Sequence, residues 1–382
     1  MTARAALDEA ARREVEAMAA RHLARAPNGT DGRIDLVTND YLGLRRDARV
    51  LAAATAALAR SGLGAGAARL LGGDCGEHRR LEEAFARWQG EEAAVLFPTG
   101  SAANAGAIAG IVRPEDLCVS DRLNHGSLVD GIRLAGARCT VVPHLDAAAV
   151  DAALRDDAGA GRRFVIVESL HGMEGDAWDL AALAGVCRWR DALLLVDEAH
   201  AIGVRGPAAA GLVAEARCED VVAARMNPCG KALGGAGGVV TCSAAVAARL
   251  VHASRAYAYT TALPPSVAAG VEAAVRVASQ EPGPRARCRA LAARVGAALV
   301  DLGERVGGLE GAFVPWILGA PETALAAAAA LRERGFAARA VRPPTVPEGT
   351  ARLRLSLHAD LAEHETERLL AVLPEVAREA RR

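Results

Sequence analysis

Lys231 lies in the stretch Asn227-Pro228-Cys229-Gly230-Lys231-Ala232-Leu233-Gly234-Gly235-Ala236-Gly237-Gly238, a bed of small residues with few bulky groups to crowd it. Glycines let backbone approach a ligand and adopt conformations that a Cβ forbids. A lysine sheltered this way loses water, sheds its proton more readily and serves as a nucleophile or base. A solvated lysine on a surface turn is the ordinary alternative. Three other places carry chemistry. Asp197-Glu198-Ala199-His200 follows an apolar run at 193–196, so Asp197 emerges from the core. A buried carboxylate needs a cationic partner to stay charged. Thr99-Gly100-Ser101 stands between a strand and a helix, where free N–H groups and the helix dipole suit a phosphate, or where a plain N-cap would sit. Asn124-His125 follows another strand, and an imidazole there stacks on a flat ring or serves only the fold.

These residues need elements that present them together. From residue 93 onward, short apolar strands alternate with helices. Strands are expected at 93–97, 117–120, 139–142, 164–167 and 193–196, with helices at 102–111, 127–135, 146–155 and 179–189. This alternation predicts an α/β fold whose mostly parallel sheet is covered on both faces. Ligands in such sheets bind beyond the carboxyl ends of the strands, and the residues above lie there. Upstream, residues 4–25 read as an amphipathic helix stopped by Pro27-Asn28-Gly29, acting as a cap or an oligomer contact. A short strand at 34–37 and helices at 47–60 and 77–89 follow. The glycine-rich residues 62–73 read as a loop; no apolar strand precedes them, so they are not a dinucleotide fingerprint. Pro264-Pro265 opens a helical region that Pro282-Gly283-Pro284 interrupts. Strands at 313–318, 336–342 and 351–357 and helices at 321–334 and 361–379 form a small α+β unit. The expected organisation is an N-terminal arm at 1–45, a large domain at 46–280 and a small C-terminal domain at 281–382 that packs with the arm.

Composition narrows the function. Of 382 residues 52% are apolar, ample for a large core, and a net charge of -1 argues against a nucleic-acid or polybasic membrane partner. Eight scattered cysteines form no C-x-x-C pair, so neither a disulfide framework nor a metal site is expected. Asp197 and His200 as a metal pair lack a third ligand at a recognisable spacing. Without a signal-peptide core or an uncharged apolar run of membrane length, the chain reads as cytoplasmic.

An Asp that emerges from the core suits a protonated pyridine nitrogen, the pairing used for pyridoxal phosphate. A strand, Asp-x-x-His and, about thirty residues later, a glycine-flanked lysine together resemble fold-type I pyridoxal phosphate enzymes, and more closely the α-oxoamine synthases. The resemblance runs from about residue 36 to 365. It rests on Asn39-Asp40-Tyr41-Leu42-Gly43, residues 64–69 with His78-x-x-Leu81-Glu82, and Asp121-Arg122-Leu123-Asn124-His125. It continues through Met173-Glu174-Gly175-Asp176, Val196-Asp197-Glu198-Ala199-His200, Gly230-Lys231-Ala232-Leu233-Gly234 and Tyr259-Thr260-Thr261 with Pro264.

The resemblance implies pyridoxal 5'-phosphate held as a Schiff base on Lys231, which also moves the substrate Cα proton. It implies that Asp197 keeps the ring nitrogen protonated, His200 bonds the ring hydroxyl and His125 stacks on the ring. Gly100 and Ser101 meet the phosphate through backbone groups, and Thr260 and Thr261 reach it from the other subunit of a homodimer. Arg354 binds the amino-acid carboxylate and Asn39 is a polar contact on the substrate side. The implied reaction is decarboxylative condensation of an amino acid with an acyl thioester, on coenzyme A or a carrier protein, to an α-aminoketone. A fold-type I lyase or aminotransferase, or a non-catalytic relative with weakened cofactor binding, are the alternatives. Two positions depart from the family. Pro228 stands where a Ser or Thr hydroxyl usually holds the phosphate, and Gly172, preceded by His171, stands where a Ser is common. Losing both costs about 1 kcal/mol each unless Asn227 or His171 compensates. The departures suggest a divergent member, in specialised metabolism.

Overall fold

The computed structural model describes residues 2–27 and 29–381; of the expected helix stop, Asn28 lies outside the described residues, as do chain ends 1 and 382. Its centre is a seven-stranded sheet in the order Ala93–Phe97, Gly238–Cys242, Val222–Pro228, Leu193–Asp197, Arg163–Glu168, Leu117–Asp121, Arg138–Val142. All neighbours are parallel except Gly238–Cys242, which runs antiparallel to both of its partners. The central strands are runs of Val, Ile and Leu buried between two apolar layers. That is the pattern of strands covered by helices on both faces.

The five expected strands are present within a residue or two. Val222–Pro228 and Gly238–Cys242 were not expected. Val222–Pro228 reads as polar because it carries Arg225 and Asn227, both fully buried. Arg225 is neutralised by Glu91 at 2.9 Å, and Asn227 pairs amide to amide with Gln89 at 3.0 Å. Tertiary pairing overrides the local signal in this strand.

A second, antiparallel sheet (Ala340–Val341, Ala351–Ser356, Phe313–Gly319, Arg305–Val306) packs around Trp316 with the helices Pro282–Asp301, Pro321–Glu333 and Glu363–Ala380. The expected strand at 34–37 shrinks to Ile34–Asp35 and pairs in parallel with Phe336–Ala337, so the segment after the N-terminal helix is stitched to this C-terminal unit. The N-terminal helix Ala3–Ala20 buries none of its residues, and Leu7, Val15 and Met18 are exposed. Among the described residues no helix is long and apolar enough to cross a membrane.

Candidate active site

A cavity of about 330 Å³ opens beyond the carboxyl ends of the sheet strands, and Lys231, Asp197, His125, Gly100, Ser101 and Asn39 all line it. The five strands whose carboxyl ends feed it, Ala93–Phe97, Leu117–Asp121, Arg163–Glu168, Leu193–Asp197 and Val222–Pro228, all run in one direction, so their C-terminal turns converge on one edge. Asp197 ends the strand Leu193–Asp197 and is 3% exposed. Its Oδ1 accepts the Ala199 N–H at 2.8 Å and its Oδ2 accepts the Asn104 amide at 2.6 Å. The carboxylate is thus aimed and held before any ligand arrives. Asn104 also donates to Ser127 Oγ at 2.9 Å, and Ser127 Oγ bonds His125 Nδ1 at 2.7 Å. One chain of contacts therefore ties Asp197 to the His125 ring. His125 is the N-cap of helix Gly126–Ala135, which fixes its backbone at the cavity mouth.

Charges in the cavity shift one another. Burial pushes the Lys231 ammonium below its ordinary value, while Asp197 and Glu168 pull the other way. Glu168 ends the neighbouring strand in register with Asp197. Burial, reinforced by the Asp197 charge, pushes its carboxyl up to about 8. Burial lowers His125, and Lys231 lowers it further against the pull of Asp197, so its ring stays neutral and flat-faced. His200 is lowered well below the usual imidazole range, first by burial and then by Lys231 and Arg354.

The opposite end is built from backbone. Thr99 caps helix Gly100–Ile111, its hydroxyl accepting the Ala102 N–H at 3.0 Å and its carbonyl the Ala103 N–H at 3.0 Å. The first N–H groups of a helix have no partner inside it, and Gly100 and Ser101 lie on the cavity wall. A Cβ on Gly100 would fall 2.5 Å from Pro228 Cβ, and one on Gly238 would fall 2.8 Å from Gly100 Cα. Glycine is needed at both positions for the strand ends and the helix to close. Pro228 lines this end and offers no donor. Asn227 does not replace it, because its amide is taken by Gln89 away from the wall. His171 is fully buried with neither ring nitrogen hydrogen-bonded, and it too is absent from the wall. The expected compensation by either residue is therefore not made.

His200 and Arg354 stand one layer behind the wall. His200 Nδ1 meets Tyr41 Oη at 2.7 Å and Arg354 Nη2 at 3.2 Å. Arg354 donates to Asn39 Oδ1 and to the Gly172 carbonyl, both at 2.6 Å, bonds Tyr41 Oη, and lies over the Phe313 ring. It reaches the cavity through Asn39, so binding a carboxylate requires it to exchange one of these partners. Gly172 has its own reason here: a Cβ would fall 2.3 Å from His200 Nε2, so the imidazole occupies the space that a serine would need. Thr260 and Thr261 do not line the cavity of their own chain; they are half-buried and exposed on the loop after helix Arg255–Ala258.

Asn104, Glu168 and Tyr41 complete the site without having been singled out as functional. Glu168 bears the same signal as Asp197, a charge ending a buried apolar strand. Asn104 is a lone amide in a helix of Ala, Gly and Ile, one turn after Gly100.

These residues fit pyridoxal phosphate. Asp197 is a pinned carboxylate for a ring nitrogen, the Gly100 cradle suits a phosphate, and Lys231 is the amine beside both. Residues 31–373 match the model of the aminotransferase class I and II family. The chain belongs to this family. It is 44% identical over 343 residues to an 8-amino-7-oxononanoate synthase of Anaeromyxobacter dehalogenans, covering 90% of this chain and 86% of the relative. An enzyme of the same name from Mycolicibacterium vanbaalenii is 41% identical over 355 residues, covering 92% and 91%. Among solved structures, serine palmitoyltransferase from S. paucimobilis, with bound PLP–myriocin, superposes with a TM-score of 0.88 at 28% identity, covering 91% of this chain and 88% of that one. The 8-amino-7-oxononanoate synthase of Francisella tularensis superposes at 0.78 with 25% identity, covering 92% and 98%. Both the fold-type I architecture and the α-oxoamine synthase resemblance hold.

Proposed function

We propose that this chain is a pyridoxal 5'-phosphate-dependent acyltransferase that condenses an amino acid with an acyl thioester, with loss of carbon dioxide, to an α-aminoketone. The observation that carries the reading is Lys231 sharing a cavity with an Asp197 carboxylate already held on both oxygens. The relatives named 8-amino-7-oxononanoate synthase favour it over a lyase or aminotransferase, whose fold would be the same. When bound, the cofactor supplies an electron sink for charge at the amino-acid Cα. Asp197 would hold a proton at the ring nitrogen, and Asn104 keeps that carboxylate in line. Lys231, pushed toward its neutral amine by burial, is the group that would take and return the Cα proton. His125 would pack its neutral ring on the cofactor face. His200, backed by Tyr41 and one layer behind the wall, would supply the bond to the ring hydroxyl. Arg354, presented through Asn39, receives the substrate carboxylate with a planar fork.

The working unit we infer is a homodimer. Thr260 and Thr261 leave their own cavity, and the uncovered Leu7, Val15 and Met18, with Leu63, Leu71 and Tyr259 on the loops, favour a second copy. Pro228, Gly172 and His171 favour a divergent member of specialised metabolism. Its amino-acid and acyl partners are to be found by screening. The test is thiol release from acyl-coenzyme A or acyl-carrier protein in the presence of glycine, alanine or serine. The synthase reading requires release only when both substrates are present, with one carbon dioxide per thiol. Product formed from the amino acid alone, or amino transfer to a keto acid, overturns it.

A further inference from the structure

Outside the cofactor cavity, the carboxyl ends of three adjacent strands bring together residues that lie far apart in sequence. Asp121 ends the strand Leu117–Asp121. His144 follows the edge strand Arg138–Val142, and His171 follows Arg163–Glu168 on the other side. One ligand atom from each of these three residues falls within 4.8 Å of the other two. We propose that Asp121, His144 and His171 form a binding site for a divalent transition-metal ion of the zinc class.

Two independent observations support the site. The first is the way the imidazoles are aimed. His144 Nδ1 faces Asp121 at 3.0 Å, and its Nε2 faces the Asp176 carboxylate at 3.2 Å. His171 Nε2 faces Asp121 at 3.8 Å, and its Nδ1 faces the Glu168 carboxylate at 3.8 Å. Each ring thus has the shared Asp121 near one nitrogen and an outer carboxylate near the other, at hydrogen-bond distance for His144 and just beyond it for His171. A metal-ligating histidine characteristically has such a carboxylate behind it to fix its orientation. The two rings stand edge to face, at 87° and 4.4 Å between centroids, and an ion would take the place of the proton that Asp121 and Asp176 hold on His144 against its burial.

The second is His171 itself. It is fully buried, and neither of its nitrogens has a hydrogen-bond partner. A buried imidazole left this way is costly to the fold, and a cation at its Nε2 satisfies it. Asp121 has capacity to spare. It accepts the N–H groups of Leu123 and Leu145 besides His144, and a carboxylate offers about four acceptor directions. Two imidazoles and one carboxylate leave a fourth position for water, as zinc sites with three protein ligands do. The half-buried His144 provides the way in. No motif spacing announces the site, because its ligands come from three separate strand ends, and this departs from the expectation of no metal. Glu168 stands between this site and the cofactor cavity, so an ion here adjoins the cofactor wall.

The test uses the full chain loaded with pyridoxal phosphate, stripped with a chelator and titrated with zinc chloride against a chromophoric competitor. The expected result is one zinc per chain in the wild type that is missing in His171→Phe. Asp176→Asn, which keeps all three ligands but removes the carboxylate behind His144, should bind roughly tenfold or more weakly. Circular dichroism reports whether His171→Phe is folded. If it is not, His144→Gln must show the same loss of zinc. Cobalt chloride adds a second readout, a visible spectrum without the intense thiolate band that the cysteines would give. Equal zinc binding by wild type and either histidine variant overturns the proposal, as does a thiolate band in place of the nitrogen and oxygen spectrum.

Discussion

The two ends of the cavity around Lys231 are built by different means. The ring end is a network of side chains, with Asp197 bonded by Asn104 and Ala199, Asn104 by Ser127, Ser127 by His125, and the His125 N–H by Glu168 at 2.7 Å. The phosphate end is backbone, small residues and a proline, closed so tightly that Gly100 has no room for a Cβ. Pre-aimed charge in a water-poor site costs no reorganisation during reaction, so the ring end should govern rate. A backbone cradle anchors without chemistry, so the phosphate end should govern how firmly the cofactor stays.

The largest break in that contrast is expected from Asp197→Asn. It keeps the shape but removes the charge, and kcat should fall on the order of 10³-fold while the fold survives, as judged by circular dichroism. Asn104→Ala should be next. It leaves the buried Asp197 Oδ2 without its donor, worth about 1–3 kcal/mol, so kcat should drop ~10–100-fold in steady-state assays with little change in cofactor content. If cofactor is lost instead, the division of labour between the ends is wrong.

The third prediction concerns pH. Covalent capture of pyridoxal phosphate by the cofactor-free protein needs the neutral amine. Its rate, followed by stopped-flow absorbance, should rise with pH and level off below the ordinary lysine value, since burial lowers the Lys231 pKa. Glu168 raises that pKa when ionised, so Glu168→Gln should move the midpoint further down. The difference should vanish below about pH 8, where the wild-type Glu168 is already protonated. The smallest effect tests the other end. Pro228→Ser, which places a hydroxyl where the family resemblance expects one, should tighten cofactor binding by about 1 kcal/mol, roughly fivefold in Kd by equilibrium dialysis, with kcat nearly unchanged.

The same contrast explains what was legible in the sequence. Residue type and position left Lys231 and His125 open between chemistry and fold and marked Asp197 more specifically; the family resemblance gave them roles, and the three share one cavity. Glu168 was legible by the argument used for Asp197, as a charge that closes a buried strand. Asn104 was not, because only the packing of its helix against Asp197 gives a lone amide its meaning. Gly100 and Ser101 were named as a phosphate site, but two strands beside them were not foreseen. Val222–Pro228 holds a buried Arg225 and an Asn227 locked to Gln89, and a glycine-rich connection separates it from Gly238–Cys242. These residues read as loop until partners in the fold satisfy them. Gly172 looked like a lost hydroxyl; the structure shows space taken by the His200 ring.

The central claim, that the cavity is a pyridoxal phosphate site organised on Lys231, is tested most directly by an absorbance scan of the purified chain with pyridoxal phosphate added. The expected result is a band at the edge of the visible range in the wild type that borohydride fixes to Lys231 and that is lost in a folded Lys231→Ala. No band in the wild type at saturating cofactor, or an unchanged band in Lys231→Ala, would contradict it.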